Sequence, residues 1–348
     1  MKYLLILSCS FILSYSLTPL MGWIALKFNI LDQPGTRKIH TEPKPRTGGI
    51  AIYLSFLIIF YLVHRFNLFT RGFENEFTGL LLGSSIVFLT GMIDDIRGLN
   101  AWIKLGAQIF AGLILVIYGI RISLFIPNVY VSSIITILWV VGITNSFNLL
   151  DNMDGLSAGV GGISSLMFFL VYGRQGLSDL NLLMMILVGS LIGFLKYNFN
   201  PARIFMGDAG SLFIGFIIGG TAAMGGYLKG SLLTRLPVIT PLLILGVPIF
   251  DTLSVIYIRI KQHRSIFSAD KSHFSHRLVT LGMTQKQAVL FIYLVSFCVG
   301  INSILLPRIT RGDALVILIQ ALAIFAIIVL LMIAKGDELK RKIRKKEI

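Results

Sequence analysis

Asp94 and Asp95 stand side by side in Gly91-Met92-Ile93-Asp94-Asp95, at the end of a stretch without charge from Gly79 onward. Two adjacent carboxylates at the rim of an apolar helix are costly unless a cation holds them, because desolvation and mutual repulsion both oppose ionisation. Lys104 follows ten residues later and could share in that charge or neutralise a phosphate. The chemistry that suits such a cluster is phosphoryl handling, with a divalent metal and a phosphorylated ligand between the acids. A helix-end cap with an ion pair would use the same residues.

Four further groupings have the same character. In Asn145-Ser-Phe-Asn148-Leu-Leu-Asp151-Asn152-Met-Asp154-Gly155, polar residues recur at spacings of three and four, which in a helix makes one polar stripe. Amide and carboxylate oxygens are hard ligands suited to Mg²⁺, which takes few protein ligands and completes its shell with substrate phosphate; an Asx-rich turn is the plainer alternative. Asn200-Pro-Ala-Arg203-Ile-Phe-Met-Gly207-Asp208-Ala-Gly210-Ser211 places Asp208 at a predicted helix start, where glycines let backbone amides approach an anion. Asp208 would repel phosphate there unless a metal bridges them, and it could also be an ordinary cap.

Ser268-Ala-Asp-Lys-Ser-His273-Phe-Ser275-His276-Arg277-Leu278 puts His273 and His276 on one helical face, with Arg277 a turn beyond His273. Neither an HExxH base nor a cysteine accompanies them, so a basic grip on a diphosphate fits better than zinc. An amphipathic basic loop on the membrane surface would look the same. Asp32-Gln-Pro-Gly-Thr-Arg37-Lys38-Ile-His40, with Pro43, Pro45, Gly48 and Gly49 after it, could cradle a phosphate or be a turn-rich basic loop. Asp251, two turns inside its predicted span from Arg259, is expected to support a neighbouring group or to cap a helix.

The elements that must position these residues are membrane spans. Of 348 residues, 55% are hydrophobic and 14% charged, and mean hydropathy is +0.83, which predicts an all-α polytopic integral membrane protein. Eleven spans are expected, near 3–25, 47–63, 79–93, 102–119, 132–148, 155–173, 179–197, 208–228, 238–259, 287–307 and 313–334. They are expected to form a single transmembrane catalytic domain over 1–335, with a basic cytoplasmic tail at 336–348. Ile6-Leu7-Ser8-Cys9 faintly resembles a lipoprotein cleavage site, but the apolar run continues past Cys9 and predicts an uncleaved first helix. Cys9 and Cys298 both lie in apolar runs, against a disulfide framework.

Alternate loops divide the 31 Lys and Arg residues into 22 on one side and 9 on the other, so the N-terminus is expected outside and the C-terminus in the cytoplasm. The same rule accounts for the net charge of +15 without a nucleic-acid partner. Asp32, Asp94, Asp95, Asp151, Asp154, Asp208, Asp251 and Asp270 then fall on, or within two turns of, the cytoplasmic side, as do His40, His273 and His276. A cation-coupled transporter would spread its acids toward the midplane and both faces, and would show repeated halves.

Together, Gly91–Asp95, Asn145–Gly155, Asn200–Ser211, Pro248–Thr252 and Ser268–Leu278 resemble the polyprenyl-phosphate N-acetylhexosamine-1-phosphate transferases, glycosyltransferase family 4. The resemblance runs from Asp32 to about Leu281 and is strongest to the branch that makes undecaprenyl-diphospho-N-acetylglucosamine. It implies a multi-pass enzyme of the bacterial inner membrane at the first membrane step of a cell-envelope polysaccharide. The enzyme would move a sugar-1-phosphate from a UDP-sugar to undecaprenyl phosphate and release UMP, with Mg²⁺ or Mn²⁺ as cofactor. The donor is expected to be UDP-N-acetylglucosamine, with 6-deoxy-hexosamine and muramyl-pentapeptide donors as alternatives, and monomer and homodimer both stay open.

The resemblance also implies roles for particular residues. Asp94 and Asp95 match the family's catalytic aspartate pair and Lys104 its phosphate-contacting lysine, while Asn148 and Asp208 match its Mg²⁺ ligands. Asp151 and Asp154 belong to the nucleotide-side motif, and His273 and His276 to the histidine motif, with Arg277 beside them. Arg37, Lys38 and His40 are expected on the substrate side, and Asn145 and Asp251 in support behind the site. One position departs from the pattern: Ser275 stands where the histidine motif usually carries another histidine.

Overall fold

The computed structural model describes residues 1–33, 42–70, 72–122, 128–225, 239–265, 272–306 and 309–344. They form helices α1 (Lys2–Lys27), α2 (Gly48–Arg65), α3 (Glu74–Arg97), α4 (Ala101–Ile117), α5 (Val129–Leu150), α6 (Leu156–Gln175), α7 (Ser178–Asn198), α8 (Gly207–Met224), α9 (Thr240–Ile244), α10 (Gly246–Lys261), α11 (Phe274–Thr280), α12 (Gln285–Ile301) and α13 (Arg311–Arg344). A two-residue antiparallel pairing, β1 (Leu31–Asp32) with β2 (Lys44–Pro45), is the one sheet contact among the described residues. Helices suit a bilayer because each satisfies its backbone polar groups internally.

Nine of the described helices are long and apolar enough to cross a membrane. Of the eleven expected spans, α4 is shorter, at 17 residues. The expected span 238–259 is broken: α9 ends at Ile244 and α10 begins at Gly246, with Leu245 between them at φ −96° and ψ 16°. Pro248 explains the break. It has no N–H to donate to the Ile244 carbonyl, and its ring crowds that group. The hydropathy of the segment is continuous, so hydropathy alone reads it as one helix.

The chain divides into two compact units, Met1–Tyr227 and Leu228–Ile348. In the first, α8 is central, buried along nearly its whole length, and packs against α3, α5, α2 and α6. Helix α7 is likewise buried and packs against α1, α6 and α2, while α4 lies against α3 and α5. Tyr53 of α2 stacks on Phe88 of α3 with ring centroids 3.8 Å apart, donates to Ser85 Oγ at 2.8 Å, and meets Phe213 of α8 edge-on. One side chain therefore ties three helices together. In the second unit, Phe250 of α10 packs on Phe274 of α11 and Phe325 of α13, and α12 starts with a capping box between Thr284 and Gln287.

Candidate active site

The turn between α3 and α4 sets up the first part of the site. Gly98, at φ +68°, ends α3, and Asn100 caps α4 by accepting from the Trp102 amide at 3.0 Å. Lys104 is thereby brought back, one turn into α4, toward the end of α3. Its Nζ lies 3.0 Å from Asp94 Oδ2 and 2.9 Å from Asp208 Oδ2. The other Asp94 oxygen accepts from the Leu99 amide at 2.6 Å. A single ammonium therefore bridges two carboxylates that are 114 positions apart in the chain.

Asp95 is used differently. Its Oδ1 accepts from the Asp208 amide at 2.9 Å and its Oδ2 from the Ala209 amide at 3.0 Å. Gly91, one turn earlier on α3, permits this approach. A β-carbon there would sit 2.5 Å from the Ala209 nitrogen and from the Asp208 carbonyl carbon and oxygen.

Asn148, on the last turn of α5, donates through Nδ2 to Ser211 Oγ at 3.0 Å, and Ser211 in turn donates to the Gly207 carbonyl at 3.1 Å. The serine hydroxyl, already committed as a donor, accepts from the amide. This fixes which end of the Asn148 amide meets it and leaves Oδ1 to another partner. Asn145 pairs with Gln108 of α4, giving Nδ2 to Gln108 Oε1 at 2.5 Å and accepting from Gln108 Nε2 at 3.5 Å. That bridge holds the Lys104 helix to the Asn148 helix. Neither Gln108 nor Ser211 received a role from sequence. The signal for Gln108 was present all the same, since it is a polar side chain one turn beyond Lys104 in an otherwise apolar helix.

Asp154 accepts through Oδ2 from Asn200 Nδ2 at 3.1 Å and from the Ala202 amide at 2.9 Å. Asn198 accepts from the Gly155 amide at 3.0 Å and donates to the Ile204 carbonyl at 2.9 Å. Both side chains secure the segment that leads into α8. The base of the 31–45 loop is anchored as well: Arg46 pairs with Asp32 at 3.0 Å, and the 45–49 backbone bonds to Phe205 and Met206. Arg37, Lys38 and His40 lie outside the described residues, as does Asp270.

Asp151, just past the end of α5, is the acid without a fixed partner: its carboxylate makes no hydrogen bond or ion pair among the described residues. Burial, followed by the charges of Asp208 and Asp95, pushes its pKa up to about 8 against the weaker pull of Arg46, with Asp154 adding slightly. The sign follows from linkage. A carboxyl whose folded pKa lies above its ordinary 3.8 is taken up protonated on folding, so ionisation costs stability increasingly from about pH 4 to about pH 8 and no further above that. The unfolding midpoint of the cation-free protein in detergent should fall across that window, and Asp151→Asn should flatten the decline. A slope unchanged by the substitution would remove Asp151 as its source.

The second unit holds the other candidate residues. Asp251, 1% exposed, accepts from the Phe274 amide at 2.6 Å and lies 2.9 Å from His273 Nδ1. It therefore caps α11 and orients the histidine ring at once. A proton on Nδ1 would be donated to this carboxylate, and the tautomer that carries it there leaves Nε2 as an acceptor. The His276 ring lies 6.4 Å from that of His273, and Arg277 donates to Ser254 Oγ at 2.5 Å. Ser275 is 1% exposed, turned into the interior of this unit.

Among the described residues, no group of three or more His, Cys, Asp or Glu is placed to hold a metal. The available donors are Asp208 and Asn148, with Asp151 near them in charge. They are all hard oxygens in a region with excess negative charge, which fits an ion such as Mg²⁺ that relies on phosphate to complete its shell.

Residues 77–226 match the model of glycosyl transferase family 4. A Bacillus subtilis protein named as a probable undecaprenyl-phosphate N-acetylglucosaminyl 1-phosphate transferase is 36% identical over 84% of this chain and 82% of its own length. A Mycobacterium leprae decaprenyl-phosphate N-acetylglucosaminephosphotransferase is 34% identical, covering 81% of this chain and 78% of the relative. A Thermotoga maritima undecaprenyl-phosphate alpha-N-acetylglucosaminyl 1-phosphate transferase is 29% identical, covering 83% and 93% respectively.

Proposed function

The chain belongs to glycosyl transferase family 4, and from that premise we propose that it transfers N-acetylglucosamine-1-phosphate from its UDP-sugar to undecaprenyl phosphate and releases UMP. The observation that carries the reading is the Lys104 bridge between Asp94 and Asp208, set among carboxylate and amide oxygens with spare acceptor capacity. Such a group of charges is built to receive phosphates and a cation. Charge asymmetry between alternate loops supports placing this end of the bundle on the cytoplasmic side of a bacterial inner membrane, where nucleotide sugars are found.

Phosphoryl transfer demands chiefly positioning and charge neutralisation. Asp208 and Asn148 Oδ1 would hold Mg²⁺, which when bound draws charge from the donor diphosphate. A lipid-phosphate oxygen attacks the sugar-side phosphorus, and the bond from that phosphorus to the bridging oxygen breaks, so UMP leaves with the electron pair. Lys104 takes up negative charge as this happens. Asp94 uses two of its roughly four lone-pair positions on Leu99 and Lys104. The remaining ones can orient the lipid phosphate or accept its last proton. That phosphate's second pKa lies near 6, so proton removal supplies a modest share of the barrier reduction.

The decisive experiment incubates purified protein with undecaprenyl phosphate, Mg²⁺ and a panel of UDP-N-acetylhexosamines, and follows UMP and lipid-linked sugar. Product is expected with UDP-N-acetylglucosamine and requires the divalent ion. Product only with a 6-deoxy or muramyl donor would reassign the substrate, and folded protein that releases no UMP with any donor would end the proposal.

A further inference from the structure

We propose that Asp95 is a positioning residue: its carboxylate clamps the Asp208 and Ala209 amides in the first turn of α8 and thereby sets Asp208, without itself touching the reacting phosphates. For its effect on turnover this rests on the function proposed above. The geometry of the clamp does not.

Helix α8 begins without a cap of its own. Met206 occupies the cap position and offers no side-chain acceptor, so the first amides depend on another source. Asp95 is that source, one oxygen to each of two successive N–H groups, with its negative charge at the positive end of the helix. Gly207 shows that the fit is close. It sits at φ +74°, and a β-carbon there would collide with the Asp95 carboxylate and approach the Arg46 carbonyl to 2.7 Å. The Gly48 and Gly49 amides at the start of α2 also donate to the Phe205 and Met206 carbonyls, at 3.0 and 2.8 Å. The start of α8 and the lead into it are thus held by two elements, α3 and α2.

Successive residues on a helix diverge by roughly 100°, and here the two adjacent acids take different partners. Asp94 faces Lys104, whereas Asp95 faces the backbone that carries Asp208. Asp208 is then fixed at both ends, its amide on Asp95 and its carboxylate on Lys104.

Asp95→Asn and Asp95→Ala separate a clamp from a charge. Asparagine keeps one acceptor oxygen; alanine keeps none. Hydrogen exchange at residues 207–213, in detergent without substrate or metal, should speed up by about 10-fold in the alanine variant, the scale of losing charge-assisted hydrogen bonds. The asparagine variant should lie between it and the parent. Turnover should follow the same order, with kcat down by ~10–100-fold for alanine as for other groups that orient a site and KM for both substrates unchanged. Equal loss of turnover in both variants with unchanged exchange would show that the charge itself contacts the reacting groups, and would overturn the proposal. If the parent protein released no UMP, exchange alone would still decide the clamp, and unchanged exchange would sink it. If the alanine variant does not fold, exchange and kcat in the asparagine variant decide.

Discussion

Asp208→Asn is expected to lower kcat/KM on the order of 10³-fold or more, the scale on which a desolvated site responds to loss of one charge-handling group. The substitution keeps the shape and still offers Lys104 an oxygen at the 2.9 Å contact. What it removes is the charge that sets Lys104 between two carboxylates and that the proposed Mg²⁺ would meet. The same change relieves repulsion, since Asp208 is a leading charge acting on Asp151. The unfolding midpoint of the metal-free protein should therefore hold or rise while activity disappears. This is the usual relation between stability and an electrostatically strained site. Steady-state UMP release and thermal unfolding on one preparation test both halves. Turnover within a few-fold of the parent would remove Asp208 from the chemistry.

Gly91→Ala is expected to damage the site without touching a charged group. The added carbon would meet backbone atoms of Asp208 and Ala209 at 2.5 Å, and backbone cannot swing aside as a side chain can. Overpacking of this kind costs typically about 1–3 kcal/mol. The larger consequence is geometric. Helices α3 and α8 must separate, and Asp94, Asp95 and Asp208 lie across that contact. A displacement of about 1 Å can cost on the order of 10²-fold in rate. Gly106→Ala is the control, because a β-carbon there meets nothing within 4 Å. Turnover per folded molecule should fall for Gly91→Ala and stay level for Gly106→Ala. Equal activities would mean that the approach of the two helices does not set the site.

Much of this protein was legible in its sequence, and the reason is chemical. Charged and amide side chains are expensive in apolar helices, so Asp94, Lys104, Asn145, Asn148 and Asp208 announce themselves by type and position. Long apolar runs likewise predict spanning helices, because nothing else satisfies the backbone in lipid. The broken segment at Leu245 was less visible, since hydropathy records transfer energy and is blind to the missing donor at Pro248.

By itself, then, the sequence determined an all-α membrane protein and the residue types that could handle phosphate in it. Tertiary structure alone decided what each acid does. Asp94 and Asp95 are neighbours with the same chemistry, yet one meets an ammonium and the other the amides of a helix more than a hundred residues away. Asp154 secures a loop, and the Asp151 carboxylate meets no hydrogen-bond or ion-pair partner among the described residues. Side-chain type states what a carboxylate could bind. Whether it meets Lys104, a helix start or a loop depends on which distant segment the packing brings within about 3 Å, and glycines such as Gly91 and Gly207 set that distance through atoms they lack.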